Sequence, residues 1–401
     1  MTGFDRRPAF RFDALVLAVY FALAPVHQIL VLPDGSTVIR YIAAAAMSAC
    51  LLQGWRERRE YVVRWDLIWP VLFLAGWFAL TILWARSASA AVSRYTRCLS
   101  FFALMLIVGS RNWTEREKRF VIRAAVLACA FYSFRLVLSA AETRRATISL
   151  TLGGEEYAAD QNVLACNIGL GALFALHGFL TEKRRAVRAL FLAGFLVTLA
   201  GIAATGSRGG LVATAAAAGW LALRQARTSA RARRVIPWAA GGVLLLAWLI
   251  LGRNIWNNET LLSRFSDWTL SEESGRLEIW GQYLELLVRR PLGLLAGYGI
   301  GCDTLEHADF LGRSWLRVTH NDVLSVVCQA GLPGLALAAV FVRNVWRRNT
   351  LLRDPLGKAC VILALAGSMD INFFMTYGWW NAMIFAFIGI GTAGRTTSGT
   401  C

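Results

Sequence analysis

Three residues in this chain have the types and settings to do acid–base chemistry beside an anion. Arg208 lies in Thr205-Gly-Ser-Arg-Gly-Gly210, where an apolar segment begins. Arg276 lies in Ser274-Gly-Arg-Leu-Glu-Ile-Trp280, inside a long polar stretch. His320 opens another apolar segment in Thr319-His-Asn-Asp322. An arginine among small residues at a helix start combines a planar two-donor fork with backbone N–H groups, a setting suited to phosphate. A histidine in the first turn of a helix capped by Thr319 would feel the positive end of the helix dipole. The imidazole would stay neutral there and accept a proton from an attacking hydroxyl. Each residue also has a plainer reading: an interfacial arginine reaching for water, an exposed charge on a polar face, a polar residue at a capped helix end paired with Asp322.

These residues must be held by a membrane protein. The 401 residues are 57% hydrophobic, with mean hydropathy +0.50 and 16 tryptophans. Apolar runs recur at about 14–32, 37–53, 67–84, 95–109, 120–138, 162–180, 189–204, 208–223, 235–251, 320–342, 358–375 and 379–393. About twelve spans of an all-α polytopic protein are therefore expected. The organisation predicted is nine transmembrane helices over 1–251, a loop over 252–319 with an amphipathic helix, and three more helices with a tail over 320–401. Met1 to Asp13 is polar and basic, and the first run is long enough to remain as a span.

The net charge of +17 does not indicate nucleic acid. Basic clusters around Arg6, Arg58, Arg116, Arg184, Arg231 and Arg347 fall between alternate pairs of apolar segments. With Arg395 they hold 26 basic and nine acidic residues, which accounts for the whole net charge. That is the positive-inside pattern, so these loops and both termini are expected in the cytoplasm, against anionic inner-leaflet lipid. Arg208, Arg276 and His320 then share the opposite, periplasmic side.

Gly252–Thr319 is the longest stretch without a span. Leu277, Trp280, Leu284 and Leu287 repeat in it at helical spacing, predicting an amphipathic surface helix that Pro291 ends. Arg289 and Arg290 would anchor it to head groups. Gly297-Tyr-Gly-Ile-Gly301 has no preceding strand, so it reads as a flexible turn and not as a dinucleotide loop. Asp303, Glu306, His307 and Asp309 read as a solvated acidic segment, and no metal is expected. Of the eight cysteines only Cys302 is expected well outside the membrane on the far face. None shows ligand spacing, so neither zinc nor a disulfide is predicted. Ser139–Gln161 reads as a polar loop, and Arg94 and Arg97 as further phosphate ligands.

The chain resembles the O-antigen ligase and polymerase superfamily of membrane glycosyltransferases. The resemblance rests on the order and side of Asp160-Gln-Asn162, Ser207-Arg-Gly209, Ser274-Gly-Arg276 with Ile279-Trp280, Pro291-Leu-Gly293, and His320-Asn-Asp-Val-Leu324 leading to Gly331-Leu-Pro-Gly334. Glutamine between Asp160 and Asn162 departs from the commoner proline. The resemblance implies a fold of the membrane glycosyltransferase C type in the bacterial inner membrane. It implies an undecaprenyl-diphosphate-linked glycan donor, a lipid A–core acceptor, and an inverting, metal-independent transfer without cofactor. Carried over, His320 is the base or acceptor-orienting residue, and Arg208 and Arg276 hold the diphosphate; Asp160, Asn162 and Asn321 join the substrate-binding set. A polymerase, with a second lipid-linked glycan as acceptor, and a protein O-glycosyltransferase fit the same residues. A transporter or flippase would instead need charge near the membrane midplane, where Asp370 and Arg135 come nearest.

Overall fold

The computed structural model describes residues 11–33, 36–56, 64–142, 148–152, 155–250, 276–302, 319–369 and 377–393. The acidic segment 303–309, Asp370 and the whole of 251–275 lie outside these residues.

A helix stands at each of the twelve expected spans. They are α1 (Phe12–Leu23), α2 (Val38–Arg56), α3 (Trp65–Thr81), α4 (Ala88–Ser110), α5 (Glu115–Glu142), α6 (Gln161–Thr181), α7 (Arg185–Ala204), α8 (Arg208–Thr228), α9 (Ala230–Ile250), α12 (Asp322–Leu351), α13 (Pro355–Ser368) and α14 (Tyr377–Ala393). Between α9 and α12 come α10 (Arg276–Arg289) and the short α11 (Leu292–Ala296). Among the described residues seven helices are long and apolar enough to cross a membrane, and two shorter apolar ones accompany them at Phe12–Val26 and Pro355–Ser368. The protein is thus an all-α polytopic membrane protein. α4 is longer than the apolar run predicts, because Ser87 caps it early by accepting from the Ala90 N–H.

One element departs from the all-helical expectation. The segment between α5 and α6 holds an antiparallel hairpin, β1 (Ser149–Leu152) with β2 (Glu155–Ala158), in register Ser149 to Ala158.

The bundle is organised around α6, almost wholly buried, with α5, α7, α8, α13 and α14 packed on it. Its glycines permit this. A Cβ at Gly169 would overlap Thr214 of α8, and one at Gly171 would overlap Cys129 of α5. In lipid, where apolar surface gains nothing by leaving the solvent, such close backbone approach supplies the packing energy. A buried polar chain crosses this core: Tyr20 of α1 donates to Asn381 of α14 at 2.7 Å, and Asn381 donates to Asn167 of α6 at 3.2 Å.

α12 is broken. Gly331 has φ 67° and ψ −170°, and Pro333 follows. The freed Ala330 carbonyl accepts from the Trp77 indole at 2.6 Å. Residues 322–330 therefore form a separate short segment, and the long run continues from Leu332, later than the expected start at 320.

Candidate active site

Arg208 is presented by a tight reversal between α7 and α8. Gly206 takes φ 67°. The Thr205 hydroxyl donates to Ile202 O and accepts the Ser207 N–H. Ser207 then caps α8 by accepting from Gly210 N–H at 3.2 Å. Arg208, the first helical residue, is half-buried. Gly210 lies against Ala165 of α6, so the start of α8 is fixed to the central helix.

Asp160 caps α6, its Oδ1 accepting the Asn162 and Val163 N–H groups at 2.9 Å each. Its own N–H donates to Gln28 Oε1 at 2.6 Å. Asn162, carried as a binding residue, is half-buried beside it.

Arg276 is the first residue of α10 and is half-buried. Burial pulls its guanidinium below the ordinary arginine range. The charge of Arg208 pulls it further down, and Asp160 opposes both. The starts of α6, α8 and α10 thus come within electrostatic reach of one another, with two positive charges and one negative.

The buried side chains of α10 are Ile279, Tyr283, Leu286 and Leu287, and Ile279, Tyr283 and Leu287 pack with Val327 and Cys328 of α12 and with Cys302. Leu277 and Leu284 of the expected surface stripe are exposed, as are Val288, Leu292 and Leu295. α10 is apolar on two sides, and period alone does not choose between them. Cys302 is buried within the protein, its thiol donating to Cys328 O.

His320 also differs from its expected setting. Thr319 does not cap α12. Asn321 does, its side chain accepting from Val323 and Leu324 N–H at 2.9 and 3.2 Å. Asn321, carried as a substrate ligand, spends its carboxamide oxygen on this cap. His320 therefore sits one residue before the cap, at φ 48°, a left-handed conformation rare for a residue with a Cβ. Two contacts hold it there. Thr319 donates its hydroxyl to Asn321 O, and the Thr319 carbonyl accepts from the Trp280 indole at 2.9 Å. Trp280 lies one turn along α10 from Arg276, about 6 Å by helical rise. One helix thus carries Arg276 and pins the residue before His320.

The glycine turn is not flexible. Gly297, Gly299 and Gly301 all have positive φ. A Cβ at Gly299 would meet Ala85 Cα at 2.5 Å. The turn is tied on every side: Tyr298 N–H donates to Cys328 O, Ile300 N–H to Thr81 Oγ1, Gly301 N–H to Gln329 Oε1, and the Trp84 indole to Gly297 O. It braces α12 from below the histidine. Sequence reasoning missed Gln28, Thr81, Trp280 and Gln329 in these supporting roles. Gln329 did leave a signal, as a lone amide in an apolar run four residues after Ser325, whose hydroxyl it engages at 2.8 Å.

Arg97 lines a groove between α2 and α4 with Arg40, and Arg94 is half-buried one turn before it. Among the described residues no group of three His, Cys, Asp or Glu side chains is placed to hold a metal ion.

No curated protein matches the chain. Residues 193–339 match the family model described as O-Antigen ligase. The matched stretch runs from α7 into α12 and contains Arg208, Arg276 and His320; Asp160, Arg94 and Arg97 lie before it. Over those residues the chain is similar to the O-antigen ligase family.

Proposed function

We propose that this protein transfers O-antigen polysaccharide from undecaprenyl diphosphate to lipid A–core at the periplasmic face of the inner membrane. The observation that carries the reading is the convergence on α10. Arg276 stands in the field of Arg208, and Trp280 of the same helix fixes the backbone at His320.

In this reading the two guanidiniums hold the donor's diphosphate. The acceptor hydroxyl attacks the anomeric carbon from the face opposite the leaving group. A new C–O bond forms as the C–O bond to phosphate breaks, and the electron pair leaves with undecaprenyl diphosphate. The hydroxyl proton passes to His320. The negative charge that grows on the diphosphate is met by groups already in place, which costs no reorganisation at the moment of reaction. Two like charges brought together during folding are unfavourable until an anion arrives between them, so the donor relieves the crowding that the fold imposes.

The test uses purified protein, undecaprenyl-diphosphate-linked O-antigen and lipid A–core, with products followed by gel. Wild type yields lipid A–core bearing O-antigen. His320→Ala yields none while still binding donor. Wild-type transfer by His320→Ala removes the base. Loss of donor binding together with transfer moves His320 into the phosphate site. A product lengthened on the lipid carrier, with lipid A–core untouched, replaces ligation by polymerisation.

A further inference from the structure

We infer that Lys358 and Arg224 bind the phosphate of an anionic glycerophospholipid, in the leaflet at the end of the bundle away from Arg208. Lys358 lies in the first turn of α13, which packs on both α8 and α12. Its Nζ is 4.4 Å from the ring centre of Trp346 on α12 and 5.7 Å from that of Trp220 on α8. The two rings are 6.1 Å apart and tilted by 55°. One cation thus joins three helices through aromatic faces. Tryptophans toward the end of a span sit at the level of lipid head groups.

Aromatic faces attract an ammonium without cancelling its charge. Other basic side chains at this end pair with carboxylates, Lys118 with Asp354 at 3.8 Å and Arg348 with Asp66 at 2.7 Å. Among the described residues neither Lys358 nor Arg224 is in an ion pair with a carboxylate. Asp354 is four residues before Lys358, but it is occupied. Its Oδ1 accepts the Leu356 N–H as the cap of α13, and its Oδ2 faces Lys118. The charge that reaches Lys358 is that of Arg224, which is exposed and one turn beyond Trp220 on α8. Two neighbouring cations without a carboxylate attract an anion from outside the chain.

The apolar side chains beyond Lys358 select the kind of anion. Half-buried Ile362 and exposed Leu365 and Met369 follow it at intervals of four, three and four residues, on one face of α13. From Lys358 to Met369 this track is roughly 16 Å long by helical rise, about half the thickness of a bilayer's hydrocarbon core. Cations at the head-group level, above an apolar track one leaflet deep, fit a phospholipid and not a free phosphate; basic pockets between spans hold anionic head groups in this way. The same helix measures the distance to the candidate active site. Arg208 begins α8. Trp220 and Arg224 lie roughly 18 and 24 Å further along its axis.

The experiment counts lipids retained by the full chain, delipidated in detergent, by native mass spectrometry. The probes are phosphatidylglycerol, phosphatidylcholine and inorganic phosphate. Wild type is expected to retain phosphatidylglycerol saturably. Lys358→Gln/Arg224→Gln should retain one molecule fewer, its affinity at this site at least about tenfold lower as charge-assisted contacts to phosphate are removed. Arg184→Gln/Arg185→Gln takes the same two charges from the basic segment that leads into α7, and should retain phosphatidylglycerol as wild type does. The proposal fails if that control loses as much lipid as Lys358→Gln/Arg224→Gln, because the attraction is then only the net charge of the basic end. It fails equally if phosphatidylcholine is retained as well as phosphatidylglycerol, or if inorganic phosphate displaces the lipid at equal concentration. Should Lys358→Gln fold poorly, Arg224→Gln alone changes an exposed side chain and decides the matter. Lower phosphatidylglycerol retention supports the site, and wild-type retention overturns it.

Discussion

The two ends of the helical bundle treat positive charge in opposite ways. At the end away from the candidate site, basic side chains meet carboxylates. Arg111 pairs with fully buried Asp13, Arg11 with Glu117 at 3.1 Å, Lys118 with Asp354 at 3.8 Å, and Arg348 with Asp66 at 2.7 Å. These pairs join α1 to the α4–α5 corner, α5 to α13, and α3 to α12. At the other end Arg276 feels the charge of another arginine, Arg208, which Asp160 opposes. Arginines that assemble helices bring their counter-ions within the chain. In the proposed reading the two neighbouring arginines share the anion of a ligand.

Substitution at each end breaks this contrast differently, and the largest effects come first. Arg208→Lys and Arg276→Lys keep the charge but lose the two-donor fork. Transfer should fall by about 10²–10³-fold, the range for removing one preorganised donor at a developing anion. The melting temperature in detergent should hold. Arg111→Met does the reverse. It leaves Asp13 buried without its ion-pair partner, at a cost of about 3–5 kcal/mol, so folded yield and melting temperature should drop before any catalytic effect is measurable. Normal transfer by both lysine variants would erase the distinction between the ends.

His320 sharpens the comparison at the level of backbone. Among the described residues two non-glycines have positive φ, His320 at 48° and Arg353 at 52°. Arg353 follows the C-terminal end of α12, where left-handed residues are common. His320 precedes an N-cap, where extended backbone is usual. Strain of that kind costs about 1–3 kcal/mol and persists where the surroundings impose it. His320→Gly should therefore raise thermal stability or leave it unchanged, while transfer is lost with the imidazole. A glycine variant that still transfers glycan would show that the backbone, and not the ring, is what the site requires.

Much of this arrangement is legible in the chain, and the rest fails for definable reasons. Helix positions follow from apolar runs interrupted by basic loops, as at α7 and α8. The hairpin before α6 was signalled by two short runs flanking Gly153-Gly154, a turn-forming pair, but it was hidden among polar residues. Thr319, Asn321 and Asp322 are all good caps, so only tertiary contact with Trp280 decides that the helix begins after Asn321. The two apolar faces of α10 are equivalent to a periodicity argument, and Val327 with Cys328 selects one. Arg208 and Arg276 are readable as sharing one side of the membrane. Their mutual field depends on tertiary packing, which periodicity does not reveal.

The smallest expected effect tests Asp160, whose negative charge acts on Arg276. Asp160→Asn should keep the cap on α6, since asparagine caps as well as aspartate, and its carboxamide oxygen can accept from Asn162 and Val163 N–H as the carboxylate does. What disappears is the charge that offsets Arg208 at Arg276. The cluster becomes more positive and the repulsion between Asp160 and an incoming diphosphate is gone. For partly exposed groups this is worth on the order of 1 kcal/mol. Donor should then bind several-fold tighter, with the gain shrinking as salt rises past the point where the Debye length falls below about 8 Å. Binding isotherms with the lipid-linked donor at two ionic strengths measure it. Weaker donor binding at both would show instead that Asp160 orients Arg276, and that its charge belongs to the site's geometry and not to its field.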